Sequence, residues 1–544
     1  MVENTLTRPE GRITKTGIRG LDDVLLGGIP CTNSILVQGA AGTGKTLLGM
    51  EFIYRGIIEY HQPGIIVVFE TSPAKLIRDA ALFDWNLDDL QRKNQLKIIF
   101  TSPSVLETEL LSPRSLLLET VTEMGAERMF IDGIGLLGTI RSPPVAGAEH
   151  SLSAGGLSSG GFDRPTSYRG LLQQLLEGLD RENLTCMMSH EVGLLPESLA
   201  TLEAAGFLCD TVLELSHDRV SRRGHRSVEI VKSRGQKYVA GKHTLRITSG
   251  RGLEVFRRVQ APIIQNLAQP TSTAKRSLIG VQALDDLIGG GLFDGSTTMV
   301  VGISGAGKTV LGGQLLREGA IRDGKRGLLI SLDEHPAQIV RNSETLGLDL
   351  QTHIDSGMIR IFYESPQELE VDSHFARIVE TIEKYDIQRL VIDGVTSYSS
   401  ALDTQRAYRD FFHALVAYSK FRLMTTFFNY ENPELFGLSS YMPEFPVSSI
   451  VDNIIVLSLV ELGNSVHRCI AVVKARGCKH EFETREFTIG QGGITLLPLD
   501  HAQGLTALPI ENYSSVLSRA PTRESPRRGA ARRPSPPKSL RQSV

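Results

Sequence analysis

Two stretches of this chain carry residues in the types and spacing that bind polyphosphate. Gly39 to Thr46 reads GAAGTGKT and Gly302 to Thr309 reads GISGAGKT. Both fit G-x-x-x-x-G-K-[ST], in which glycines let the backbone wrap a phosphate chain, N–H groups at the following helix start point at it, and the lysine reaches its terminal phosphates. The last hydroxyl of such a loop ligates magnesium. The nucleotide-binding residues are therefore Gly39, Gly42, Thr43, Gly44, Lys45, Thr46 and Leu47 in the first loop. In the second they are Gly302, Gly305, Ala306, Gly307, Lys308, Thr309 and Val310. The chain is expected to bind two nucleoside triphosphates.

Such a site needs acids. Asp132 ends the apolar run Met129-Phe-Ile-Asp132 and Asp393 ends Leu390-Val-Ile-Asp393, a placement from which each can join the magnesium shell with Thr46 or Thr309. Glu70 and the pair Asp333-Glu334 follow two other apolar runs. From a strand end, a carboxylate can face the terminal phosphate and orient or deprotonate the attacking nucleophile. Lys232-Ser-Arg234-Gly235 and Lys474-Ala-Arg476-Gly477 supply a repeated pair of cations late in each half. A single such pair reads as surface charge; the repetition points to cations that reach a phosphate, one bound by a neighbouring subunit included.

The elements that must position these residues are written twice. Gly17-Ile-Arg-Gly-Leu21-Asp22-Asp23 with Gly27-Gly28 returns 263 residues later as Gly280-Val-Gln-Ala-Leu284-Asp285-Asp286 with Gly290-Gly291, and Lys45 to Lys308 keeps that spacing. Asp132 to Asp393 spans 261 residues and Lys232 to Lys474 spans 242, so the first copy carries an insertion between Asp132 and Lys232. The Gly/Ser-rich segment 141–167 is its expected place. Short apolar runs such as Ile65 to Phe69 and Leu328 to Leu332 lack period-two alternation and are spaced by helical stretches. This pattern predicts an α/β chain of two tandem phosphate-loop domains, each a mainly parallel sheet with helices on both faces and functional residues at the strand carboxyl ends. The expected parts are an arm (1–13), a first domain (14–257), a linker (258–276), a second domain (277–500) and a disordered basic tail (501–544). From Arg519 onward that tail has eight lysines or arginines against one glutamate.

Bulk composition excludes several classes. Of the 544 residues, 41% are apolar and 22% charged, which permits large cores. Five scattered cysteines with no C-x-x-C pair argue against a zinc site and a disulfide framework. No apolar run approaches the ~18 residues that span a bilayer, and Met1 to Arg12 lacks a signal peptide's apolar core. A cytoplasmic protein without membrane contact is expected.

The order of G-x-x-x-L-D-D-x-x-x-G-G, phosphate loop, strand-end acids and K-x-R-G, written twice, resembles the KaiC family of RecA-like ATPases from about Lys15 to Leu497. The resemblance implies a hexameric double ring with ATP and Mg2+ at subunit interfaces. It implies a hydrolytic first ring and a second ring with serine/threonine autokinase and autophosphatase activity, signalling by phosphorylation state in circadian or related stress and timing regulation. On this likeness Glu70 takes the place of the first-ring catalytic glutamate, and Asp333 and Glu334 the second-ring acidic pair. Lys232, Arg234, Lys474 and Arg476 become trans-acting fingers. The phosphoacceptors fall on Ser448 and Ser449. Asp452 and Asp210 are 242 residues apart, so the first copy has Gly206 and Phe207 at the acceptor positions and no hydroxyl. The chain departs from the family in Thr71 and Asp333, where glutamates are usual, and in Ser449, where threonine is. The implied partners are further copies of the chain and a KaiB-like or histidine-kinase-type signalling protein.

Two other classes fit the loops alone. A RecA-like DNA- or RNA-associated ATPase would need the tail or glycine segment to touch nucleic acid, and a net charge of -3 without a basic, aromatic-interleaved surface argues against it. A nucleotide-gated scaffold would assemble with ATP without turnover.

Overall fold

A computed structural model describes residues 13–111, 115–137, 168–193, 196–218, 224–261, 273–402, 404–432, 449–462, 465–481 and 483–498. Residues 1–12 of the arm, the Gly/Ser-rich segment, most of the linker, Ser448 and the basic tail lie outside the described residues.

The chain divides into two compact units, Met1–Gln260 with Leu369–Lys384, and Ala261–Glu368 with Tyr385–Val544. The first is built on nine strands: β1 (Ser34–Gly39), β2 (Gly64–Val68), β3 (Leu96–Phe100), β4 (Arg128–Asp132), β5 (Thr185–Glu191), β6 (Thr211–His217), β7 (Arg226–Ser233), β8 (Lys242–Thr248) and β9 (Gly252–Phe256). They lie in the order β9-β8-β7-β6-β1-β5-β4-β2-β3. The six from β6 to β3 are parallel, and β7, β8 and β9 add an antiparallel wing.

The second unit repeats the plan with β10 (Thr297–Gly302), β11 (Gly327–Ser331), β12 (Ile359–Tyr363), β13 (Arg389–Asp393), β14 (Thr425–Glu431), β15 (Asn453–Leu462), β16 (Ser465–Ala475), β17 (Thr484–Gly490) and β18 (Gly493–Leu496). Their order is β12-β11-β13-β14-β10-β15-β16-β17-β18, the same arrangement read from the other edge. Two mainly parallel sheets with helices, in tandem, form the α/β architecture expected from the repeat and agree with the RecA-like fold that the resemblance implies.

The central strands are apolar throughout because both sheet faces are covered: every residue of β2 and of β13 is buried. Helix α1 (Lys45–Tyr60) follows the first phosphate loop and buries Leu48, Phe52 and Ile53; α2 (Pro196–Leu208) leads into β6; α3 (Lys308–Glu318) follows the second loop and buries Leu311 and Leu315. The motif lysine itself is helical, after a glycine at φ 107° (Gly44) or 109° (Gly307), a conformation that a side chain would strain. Among the described residues no helix is long and apolar enough to cross a membrane.

Beneath each loop helix lies a fully buried arginine at the start of the aspartate strand. Arg128 donates to the carbonyls of Phe52 and Lys15 and to Gln62 Oε1. Arg389 donates to the carbonyls of Leu278 and Leu315 and to Asp323 at 2.6 Å. Each arginine thereby ties the segment entering its domain to the loop helix. Burial pushes the Arg128 guanidinium down to about 10.

Candidate active sites

In a parallel sheet, each loop at a strand carboxyl end faces the loops of the neighbouring strands. Register therefore decides which residues meet. In the first unit β5 lies between the phosphate-loop strand β1 and the aspartate strand β4, pairing Gly39 with Glu191 and Ile131 with Met188. Thr46 donates to Asp132 Oδ2 at 2.9 Å, and Ser189 on β5 donates to Oδ1 at 2.6 Å. In the second unit Thr309 donates to Asp393 Oδ2 at 2.6 Å and Asn429 on β14 donates to Oδ1 at 3.0 Å. The four residues predicted to hold a metal thus stand as two hydroxyl–carboxylate pairs.

The lysines are nearly buried. Lys45 donates to the carbonyls of Gly39 and Ala40, both at 2.9 Å, and Lys308 to those of Gly302 (2.9 Å) and Ile303 (2.7 Å). Burial lowers the pKa of both ammonium groups, and nearby carboxylates oppose it, Glu191 then Asp132 at the first site and Glu431 then Asp393 at the second. A desolvated cation at the start of a helix suits a polyanion.

At the second loop these groups line a cavity of 660 Å³. Gly305, Gly307, Lys308, Thr309 and Val310 form one side of it; Asp333, Glu334, Asp393, Asn429 and Glu431 form the polar wall; Arg468 and Ile489 reach in from the antiparallel wing. Gly302 lies beneath it as the last residue of β10, and Ala306 is buried in the loop. The Glu334 carboxyl is held above its usual range by burial and by the adjacent Asp393 and Asp333. Asn429 is fully buried, and its Oδ1 has no hydrogen-bond partner. That orphaned oxygen beside the Thr309–Asp393 pair supplies what a hydrated magnesium requires, oxygen ligands with a second acceptor behind them.

Other predicted residues stand elsewhere. Glu70 is exposed, two residues beyond the end of β2; Gly42 and Gly44 keep positive φ in the first loop, Thr43 is buried there, donating to the Ala40 carbonyl, and Leu47 is half-buried in α1. Lys232 and Arg234 lie at the opposite end of the sheet, since β7 runs antiparallel and pairs Ser233 with Thr211, the first residue of β6. Lys232 Nζ donates to the carbonyls of Gly206, Phe207 and Cys209, and Arg234 to that of Phe207, at the carboxyl end of α2. Lys474 likewise donates to the Val451 carbonyl and Arg476 to that of exposed Ser449. Arg234 on Phe207 and Arg476 on Ser449 repeat one bond at the spacing of 242 residues, so Ser449 occupies the place of Phe207. A strand of this length spans roughly 20 Å, and these cations do not meet the phosphate loop of their own unit.

Sequence reasoning missed Ser189 and Asn429, Glu191 and Glu431, and Arg468. The first two pairs each repeat at 240 residues, in Ser189-His-Glu191 and Asn429-Tyr-Glu431, and that spacing was the available signal.

A family model for the KaiC ATPase matches residues 14–150, 159–260 and 278–501. The circadian clock oscillator protein KaiC of Parathermosynechococcus lividus is 30% identical over 516 residues, covering 94% of this chain and 88% of that protein. Circadian clock oscillator protein KaiC 1 of Synechocystis sp. is 29% identical (94% of this chain, 92% of the relative), and KaiC2 of the same organism 26% (92% and 84%). With two RecA-like units, two phosphate loops and their strand-end acids in register, the chain belongs to the KaiC family of ATPases.

Proposed function

We propose that the chain is a magnesium-dependent, ATP-driven signalling protein whose first unit hydrolyses ATP and whose second transfers the γ-phosphoryl group to Ser448 and Ser449. The observation that carries this reading is the convergence of Lys308, the Thr309–Asp393 pair, Asp333 and Glu334 on one 660 Å³ cavity. Loop N–H groups and Lys308 cradle the β- and γ-phosphates; Thr309 and Asp393 hold magnesium. Bound magnesium supplies neutralisation of phosphate charge. Asp333 and Glu334 are the acids available to take the acceptor proton, and Glu70 orients water at the first site. With a second glutamate replaced by Thr71, hydrolysis there rests on one strand-end acid.

Lys232, Arg234, Lys474 and Arg476 lie at the sheet end away from their own loops, which supports a role toward a phosphate bound by another copy. A closed ring, hexameric as in the family reading, gives every site such a neighbour. The domain limits 14–257 and 277–500, a cytoplasmic location and partners of the KaiB or histidine-kinase type belong to the same proposal. The relatives' names describe circadian clock proteins, and a timing role for this chain follows from that likeness. Native mass spectrometry with and without Mg-ATP, combined with phosphosite mapping, tests assembly and transfer together. An ATP-hydrolysing ring with an unmodified Ser448–Ser449 peptide refutes the acceptor assignment.

A further inference from the structure

Ser397 sits in the 3₁₀ turn Val395–Ser400, which follows β13 and Gly394. Its hydroxyl donates to Asp333 Oδ1 at 2.5 Å. Asp333 lines the cavity with Lys308, Thr309 and Asp393. The carboxylate rests on the backbone of Gly394 (φ 85°), where a Cβ would come within 2.2 Å of Oδ2, so any other residue at 394 would displace it. Neighbouring hydroxyls are engaged differently: Ser399 donates to the Thr396 carbonyl and Ser400 to that of Ser397. A serine whose proton is shared with a carboxylate at the edge of a phosphate site has the nucleophile–base arrangement that activates an alcohol. The first unit has Leu136 at this position, 261 residues earlier, and so lacks the hydroxyl.

We propose that Ser397 is a phosphoacceptor of the ATP site in its own unit, modified in cis with Asp333 as general base. This rests on the reading of the second site as a phosphotransferase. Ser397 Oγ forms the bond to the γ-phosphorus, the bond from that phosphorus to the β,γ-bridging oxygen breaks, and ADP leaves with the electron pair. The hydroxyl proton passes to Asp333 Oδ1 and then to solvent. The product places a group of charge near -2 beside Asp333, Glu334 and Asp393, a repulsion that disfavours another ATP. The modification is therefore self-limiting and silences the site that makes it.

The test uses the full-length chain with Mg-ATP, sampled over time and mapped by fragmentation that separates Ser397 from Ser399 and Ser400. Phosphate on Ser397 is expected, with its rate reduced about 100-fold or more in Asp333→Asn, the usual loss of a general base. Phosphate at Ser448 or Ser449 with Ser397 unmodified overturns this proposal and leaves the kinase reading standing. Phosphate on Ser397 alone supports it and removes the other acceptors. Neither peptide modified while ATP is consumed overturns both. In a mixture of a Lys308→Ala chain with an active Ser397→Ala chain, phosphate on Ser397 of the former refutes transfer in cis.

Discussion

Glu51 lies in α1, six residues after Lys45, with 1% of its surface exposed. Its Oε2 accepts the Leu253 N–H at 2.7 Å and its Oε1 the Arg55 Nε–H at 3.3 Å, which ties the loop helix to β9. Burial raises its carboxyl from 4.5 to about 7, against the hydrogen bond from Leu253 and the charge of Arg55. A folded pKa above the unfolded one means the native state binds more protons between these values. The associated stability is fully present below pH 4.5 and is lost as pH rises through 7. At 1.36 kcal/mol per pH unit, the rise corresponds to about 3 kcal/mol. The second copy carries the neutral isostere: Gln314, 263 residues later, accepts the Ile494 N–H at 2.9 Å through Oε1. Glu51→Gln should therefore keep the tie and remove the titration. Trp85, the chain's single tryptophan, is buried in the same unit and stacked on Tyr54 of α1, so its fluorescence in urea reports on that unit. Wild type should lose about 3 kcal/mol between pH 4.5 and 8, and the variant should lose much less. Equal slopes in the two proteins would refute the reasoning.

Glu431 stands beside Lys308, and its charge opposes the lowering of that ammonium's pKa by burial. In a Lys45→Ala background, which isolates the second site, Glu431→Gln should move the alkaline limb of ATP turnover to lower pH, while Glu431→Asp should restore most of it; an unmoved limb would exclude the assignment. Arg389 is fully buried against Asp323 and two carbonyls. Arg389→Met should destabilise the second unit by about 3 kcal/mol, because it strands a carboxylate and two acceptors. Calorimetry should show the second unit's transition moving down with the Trp85 transition unchanged, and a shift confined to the Trp85 transition would count against the tie.

What the amino-acid sequence determined by itself was everything encoded by neighbours along the chain. The phosphate loops were legible because one turn of backbone makes the whole anion cradle. The parallel sheets were legible because strands buried on both faces read as unbroken apolar runs, and the duplication because equal spacings need no coordinates. Asp132 and Asp393 could be named from their place at strand ends. The partners of those aspartates could not. Ser189 and Asn429 reach them only because β5 and β14 insert between strands that precede them, and strand order is set by packing across the whole sheet. For the same reason Glu191 and Glu431 come to the lysines, Arg468 enters the cavity from the antiparallel wing, and Ser397 meets Asp333 across 64 residues of chain. The K-x-R cations were visible as a repeat, yet their direction was not. Antiparallel pairing carries them to the sheet end opposite their own phosphate loop, which only the register of β7 on β6 and β16 on β15 decides.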